Sequence, residues 1–377
     1  NSGSIGGGAY GIYVNGVSTI DGSILNSGVI SGGTLSPYSI FVGTGSTITG
    51  SIINAGTVSG SQYGLELAGS YAFGINNIGS LSGTSAGIYL NVATLTGVLG
   101  NTGVVNGGTY GVLAKAALLD SIDNSGTISG TQYGLYLKSN STLTGGLTNT
   151  GSIGGGAYGL YVDSSSTLSG GFVNAGANAT LSGGINNAGL ISGTNAIWLK
   201  SQSYLNGGID NSGSISGVHN GIYAYQSTLS GGITNAGLIQ GTSVAGIYLD
   251  ASALDGGIGN AGTISGGQYG IYVNNGSTLA GGVTNSGSIS GVTYGILAAQ
   301  STLTGGIDNS GTISGGTYGI YAFQSSLTGG IDNSGTISGG TYGIYAVQST
   351  LTGGITNAGL IQGTSVAGIY LDASALD

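Results

Sequence analysis

The phrase Asn-x-Gly returns along this chain at a nearly fixed interval. Its Asn falls at positions 1, 26, 54, 77, 101, 124, 149, 174, 187, 211, 235, 260, 285, 309, 333 and 357, and fourteen of the fifteen spacings lie between 23 and 28 residues. Self-similarity at such a period is the mark of stacked repeats, because a unit this short cannot bury its own apolar face and must share a core with its neighbours. The clearest unit reads Ile307-Asp308-Asn309-Ser-Gly-Thr-Ile313-Ser-Gly-Gly-Thr-Tyr318-Gly-Ile320-Tyr321-Ala-Phe323-Gln-Ser-Ser-Leu327, and the unit from Ile331 nearly copies it.

Four columns of this unit are apolar. The first runs through Ile24, Ile52, Ile75, Leu99, Ile122, Leu147, Phe172, Ile185, Ile209, Ile233, Ile258, Val283, Ile307, Ile331 and Ile355. The second lies four residues after each Asn and is apolar in every unit but the short one, where Asn178 stands; Ile12, Leu65, Leu135, Ile222, Ile320 and Ile369 mark the third, and Ile20, Leu143, Leu229, Leu303 and Leu351 the fourth. Short runs of Gly, Ser, Thr and Asn separate them, so each unit reads as three or four short strands with period-two alternation. With 84 Gly and a single Pro among 377 residues, both collagen and helical domains are excluded. The expected fold is all-β: one continuous parallel β-solenoid over residues 1–377, about 24 residues per turn and about 16 turns. The 13-residue interval from Asn174 to Asn187 lacks the whole Tyr-Gly-Ile-Tyr segment, so residues 174–186 are expected to form a truncated turn that kinks the rod or leaves a gap.

The 15 charged residues provide an independent check, since all of them avoid the apolar columns. Alternation is expected to send each of them to solvent, including Glu66, Asp163, Asp250, Lys115, Lys138 and Lys200. With three Lys, no Arg and a net charge of -9, the chain cannot neutralise phosphates, which excludes nucleic-acid binding. No apolar run approaches a membrane span, so no membrane insertion of this segment is expected. The chain begins within a repeat and lacks a charged leader, which suggests a piece of a longer protein, with uncapped ends suited to end-to-end association.

Two further columns carry candidate function. The second Tyr of Tyr-Gly-Ile-Tyr points outward, and its column holds Tyr13, Phe41, Tyr89, Tyr136, Tyr161, Trp198, Tyr223, Tyr248, Tyr272, Tyr321, Tyr345 and Tyr370, interrupted by Glu66, Leu113 and Leu297. An exposed aromatic row of this length is a candidate contact surface. The repeated Asn points inward, and Asn26, Asn54, Asn77, Asn101, Asn124, Asn149, Asn211, Asn235, Asn260, Asn285, Asn309, Asn333 and Asn357 are expected to form a structural amide ladder. The Gly two residues after each Asn is expected to supply a positive φ at the corner.

Catalytic signals are sparse. Asp308 and Asp332 should lie one above the other, and His219 shares a turn with Asp210, yet no nucleophile triad, phosphate loop or metal-ligand spacing accompanies them. No enzyme activity, cofactor or metal is therefore expected. Outward Thr pairs such as Thr302-Leu-Thr304 and Thr350-Leu-Thr352 resemble an ice-binding face, but Asp21, Asp120, Asp255 and Ala280 interrupt the array.

The repeated run Gly-Gly-Ile-x-Asn-Ser-Gly-x-Ile-Ser-Gly, with few charges and no Cys, resembles the passenger repeats of Gram-negative autotransporters and of haemagglutinin-like secreted exoproteins. That resemblance implies a right-handed β-helix displayed on or shed from a bacterial cell surface. It implies a structural or adhesive fibre, whose partners are copies of itself and cell-surface or matrix glycans and proteins. A polysaccharide-binding or polysaccharide-cleaving β-helix and an ice-binding solenoid are the alternatives.

Overall fold

The computed structural model describes residues 1–163, 165–169, 171–175, 179–182, 184–200 and 202–376. Among these, every regular element is a β-strand. The fold is a parallel β-solenoid of about 15 turns of about 24 residues. The chain divides into two compact units, Asn1–Asn174 with Asn178–Leu190, and Ala175–Ala177 with Ile191–Asp377. The division falls where the repeat spacing breaks.

In the second unit one turn consists of Ile307–Asn309, Thr312–Gly315, Tyr318–Phe323 and Ser326–Leu327. The next turn stacks on it in register, with Ile307 paired to Ile331, Asn309 to Asn333, Ile313 to Ile337, Tyr318 to Tyr342 and Leu327 to Leu351. Register is fixed because a one-residue slip would turn the inward set outward. All four apolar columns are buried apart from the outermost turns, so each aliphatic side chain packs between its counterparts above and below. In the first unit the Thr-Leu and Ile-x-Asn segments run together as one strand, as in Thr142–Asn149, whereas in the second the Ser-Ile-Ser-Gly and Tyr segments can do so, as in Ser214–Tyr225.

The described strands of the short interval stay in parallel register with the turn before them in the first unit. Phe172 still stacks on Leu147 and Asn174 on Asn149. Thr180–Ser182 then takes the place of the Ile153 strand, with Leu181 over Ile153, and Ile185–Asn187 takes the place of the missing Tyr strand, with Ile185 over Leu160 and Asn187 over Val162. The expected truncated turn is thus filled by strands of other columns, because any outward-inward alternation with an aliphatic in phase fits the same slot. Asn178, the apolar-column exception, lies outside the described residues.

The Asn column is accordingly two ladders. One climbs from Asn1 through Asn26, Asn54, Asn77, Asn101, Asn124 and Asn149 to Asn174, and each Nδ2 donates to the next Oδ1 at 2.7–2.8 Å. The other climbs from Asn211 through Asn235, Asn260, Asn285, Asn309 and Asn333 to Asn357 at the same distances. The Nδ2 group also meets two backbone carbonyls, as Asn309 does at Gly311 (3.2 Å) and Thr336 (3.1 Å). A buried amide with its donors and acceptor engaged costs little and holds adjacent turns together.

The Gly after each Asn has a different reason from the one expected. Among the described residues its φ is not positive; inside the stack a Cβ there would collide with the backbone one turn below, as at Gly311, where it would meet the Gly287 carbonyl oxygen and lie 2.6 Å from the Ser286 carbonyl carbon. The positive φ angles fall elsewhere. The second Gly before the Ile column has them (71–79° at Gly257, Gly282, Gly306, Gly330 and Gly354), and so does the residue opening the Thr-Leu strand corner, as in Gln300, Gln324 and Gln348 (48–51°). That second corner is held by a serine ladder the sequence did not announce. Ser301 N–H donates to Ser325 Oγ (3.1 Å) and Ser325 N–H to Ser349 Oγ (3.0 Å), while Ser325 Oγ donates back to Phe323 O (2.9 Å).

Candidate functional site: a double aromatic ladder

The outward aromatic column is built by the Tyr strands and is joined by a second column three residues earlier. Tyr10, Tyr38, Tyr63, Tyr110, Tyr133 and Tyr158 form the second column in the first unit, and Tyr269, Tyr294, Tyr318 and Tyr342 in the second. Rings stack along each column, as in Tyr321–Tyr345 and Tyr294–Tyr318, both 5.1 Å between centroids and 7° from parallel. They also pack between columns, as in Tyr269–Tyr272 (4.4 Å) and Tyr342–Tyr345 (4.7 Å). Strict alternation does not announce this, since the two tyrosines of Tyr-Gly-Ile-Tyr are an odd step apart; Gly319 and Ile320 are both buried, and that break in the alternation leaves Tyr318 and Tyr321 both on the outer surface.

The consequence is a correction to the expected exposed row. Phe41, Tyr89, Tyr136, Tyr161, Trp198, Tyr223, Tyr248, Tyr272, Tyr321 and Tyr345 are half-buried, and only Tyr13 (49%) and Tyr370 (42%), each on an outermost turn, are exposed. Ring faces are occupied by neighbouring rings, so the surface presents ring edges and hydroxyls. Burial pushes the phenols of Tyr136 and Tyr321 up to about 12, keeping them protonated at neutral pH.

In the second unit the ladder is continuous from Trp198 to Tyr370. Where Leu297 interrupts the outer column, contact passes from Tyr272 to Tyr269 and Tyr294, and returns to Tyr321 at 5.8 Å. Lys200 sets its Nζ 4.2 Å from the Trp198 ring centroid, and Lys138 lies 5.6 Å from that of Tyr136, both within cation–π range.

Two charges expected in solvent are buried. Glu66 takes an aromatic place between Phe41 and Tyr89, is only 3% exposed, and has an Oε2 with no hydrogen-bond partner. Tall aromatic neighbours cover it, which alternation alone does not reveal. Burial pushes its carboxyl up to about 7, while hydrogen bonds with Asn91 and Tyr38 pull the other way. Asp250 is 9% exposed and accepts from Asn275 Nδ2 (2.6 Å) and the Tyr223 hydroxyl (3.4 Å).

A folded-state pKa above the ordinary carboxylate value means that Glu66 contributes most stability below about 4.5 and loses it as pH rises through about 7. Glu66→Gln is therefore expected to flatten the pH dependence of unfolding in the first unit and to raise stability above pH 7 by about 2 kcal/mol. Thermal unfolding between about pH 4 and pH 8 checks this; an unchanged profile would contradict the burial argument.

Asp308 and Asp332 do pair in register and are both exposed, in a shallow depression of about 270 Å³ that also includes Thr284, Ser310, Ser334 and Thr356. Asp210 and His219 are exposed on separate strands. Among the described residues no three His, Cys, Asp or Glu come together as a metal site. A larger groove of about 690 Å³ in the second unit is lined by Gln202, Tyr204, Gln226, Thr228, Ala253 and Thr278, with no carboxylate, Lys or His among its lining residues. The first Thr of the Thr-Leu strands stacks as Thr278, Thr302, Ser326 and Thr350, flanked by Ala253 and Ala375, so the hydroxyl array is irregular. Among the described residues no helix is long and apolar enough to cross a membrane. Compared with known proteins, the chain matches no family model, no curated protein and no solved structure.

Proposed function

We propose that this chain is a non-catalytic structural and adhesive part of a bacterial surface fibre or extracellular filament. The tyrosine-edge face makes repeated contacts with copies of itself and with surface or matrix glycans and proteins. The double ladder carries this reading. Most turns add a tyrosine edge and hydroxyl at a repeat of about 4.8 Å, with Phe41, Trp198, Leu113 and Leu297 among the variations, so a second copy with the same period meets many similar patches. Weak contacts at fixed spacing sum through effective concentration without any dedicated pocket. The resemblance of the Asn-Ser-Gly phrase to passenger repeats supports the extracellular setting.

Stacking of sugar rings on aromatic faces is disfavoured by the same geometry, because neighbouring rings already cover those faces. Sedimentation velocity tests the reading, with Tyr321→Val/Tyr345→Val as the comparison and retention on polysaccharide-coated beads as a second measurement. Lateral self-association weakened about tenfold in the double variant is expected, the equivalent of about 1.4 kcal/mol. Equal association of both proteins would overturn the assignment of the contact face.

A further inference from the structure

The chain has 23 Tyr, one Trp, and neither Cys nor Met. The thiol and thioether groups that ordinarily absorb oxidising equivalents are absent, so the phenol and indole rings are the side chains left to lose an electron. In the second unit these rings form one contact path from Trp198 to Tyr370, with steps between 4.4 and 6.0 Å. A vacancy created on any ring can move along such a path. In-register stacking also places equivalent ring carbons of adjacent turns side by side, with Tyr321 against Tyr345 and Tyr294 against Tyr318 nearly parallel.

We propose that this ladder is a site of oxidative modification, at which a one-electron oxidant of the peroxide–haem peroxidase class joins tyrosines of adjacent turns as intramolecular dityrosine. Each of two phenols gives up one electron and one proton, and hydrogen peroxide takes both pairs to become two waters. The two phenoxyl radicals form a carbon–carbon bond between Cε positions, and the hydrogens on those carbons move to the phenolic oxygens. The net change is two C–H bonds lost and one C–C bond gained. Burial keeps the Tyr321 phenol protonated at neutral pH, so its proton leaves together with its electron, and the Tyr223 hydroxyl already donates to Asp250 Oδ2 at 3.4 Å, a direction in which its proton can leave. The product is a covalent staple between successive turns of a chain that has no disulfides.

The test uses the intact chain, dilute, with hydrogen peroxide and a haem peroxidase, followed by proteolysis and mass spectrometry of cross-linked peptides. Links joining Tyr321 to Tyr345 and Tyr294 to Tyr318 are expected, several-fold more abundant than in denaturant. Tyr345→Phe keeps the stacked ring, so the 294–318 link should persist while the 321–345 link disappears. The proposal is overturned by dityrosine formed only between molecules, by preferential reaction at Tyr71, which is exposed and outside the ladder, by equal yield in denaturant, or by no dityrosine.

Discussion

Asn309→Asp is expected to melt the turns around residue 309 at neutral pH, at a cost of about 3–5 kcal/mol. Asn309 Oδ1 accepts from Asn285 Nδ2 at 2.7 Å, and an aspartate oxygen can do the same. The other carboxylate oxygen would face Asn333 Oδ1, Gly311 O and Thr336 O, the three acceptors that Nδ2 now serves at 2.7–3.2 Å. Four oxygens would then meet without a proton, in a place only 2% exposed. Protonation relieves the charge but satisfies one acceptor of three, so the folded-state pKa rises. Stability relative to the parent is therefore best below the ordinary Asp value of about 3.9 and falls as pH rises above it. Hydrogen exchange resolved along the chain checks the location as well as the size, since neighbouring turns should lose protection before distant ones. Unchanged protection over residues 307–336 at neutral pH would show that the amide is not the rung of a ladder.

Gly311→Ala is expected to cost about 2–4 kcal/mol, large for a single added methyl group. The position has an ordinary φ, so the loss comes from space: the new Cβ would lie against the Gly287 carbonyl oxygen and the Ser286 backbone. Backbone atoms in a ladder cannot swing aside as a flexible side chain can, and parting the two turns there would stretch the Asn285–Asn309 bond beside it. Thr312→Ala, at an exposed site one residue on, serves as the control and should stay within about 0.5 kcal/mol. Equal melting of the two variants would restore the expectation that this Gly is chosen for its dihedral freedom.

The periodic apolar columns, the inward Asn and the pairing of Asp308 with Asp332 were all legible, because a repeat shows its period and the alternation of a strand shows its parity. What was not legible depends on what one turn does to the next. Glu66 has outward parity yet is covered by Tyr38 and Tyr89, and parity counts faces without counting the height of neighbouring rings. The first Tyr of each Tyr strand has the parity of the inward Ile, yet it stands on the outer surface, makes that surface two columns wide and hides the ring faces. The Gly after Asn is the residue type expected for a corner, but close approach between backbones selects it instead. The 13-residue interval reads as a missing segment because columns were followed by residue identity; the solenoid requires only an inward aliphatic at each slot, and Ile185 satisfies a place that Leu160 holds one turn earlier.

That substitution of one column for another is the most demanding feature of the stacking, and the absence of native Cys makes it accessible to cross-linking. Partners on adjacent parallel strands lie about 4.8 Å apart, within disulfide reach. Two double variants distinguish the registers: Tyr161→Cys/Asn186→Cys, which joins Cα partners in the structure, and Val173→Cys/Asn186→Cys, which joins positions that would be neighbours if Ile185 continued the column of Phe172. Rapid disulfide formation on mild oxidation of the first pair, with the second remaining reduced, is the predicted result; the reverse pattern would contradict the in-register solenoid at its most informative point.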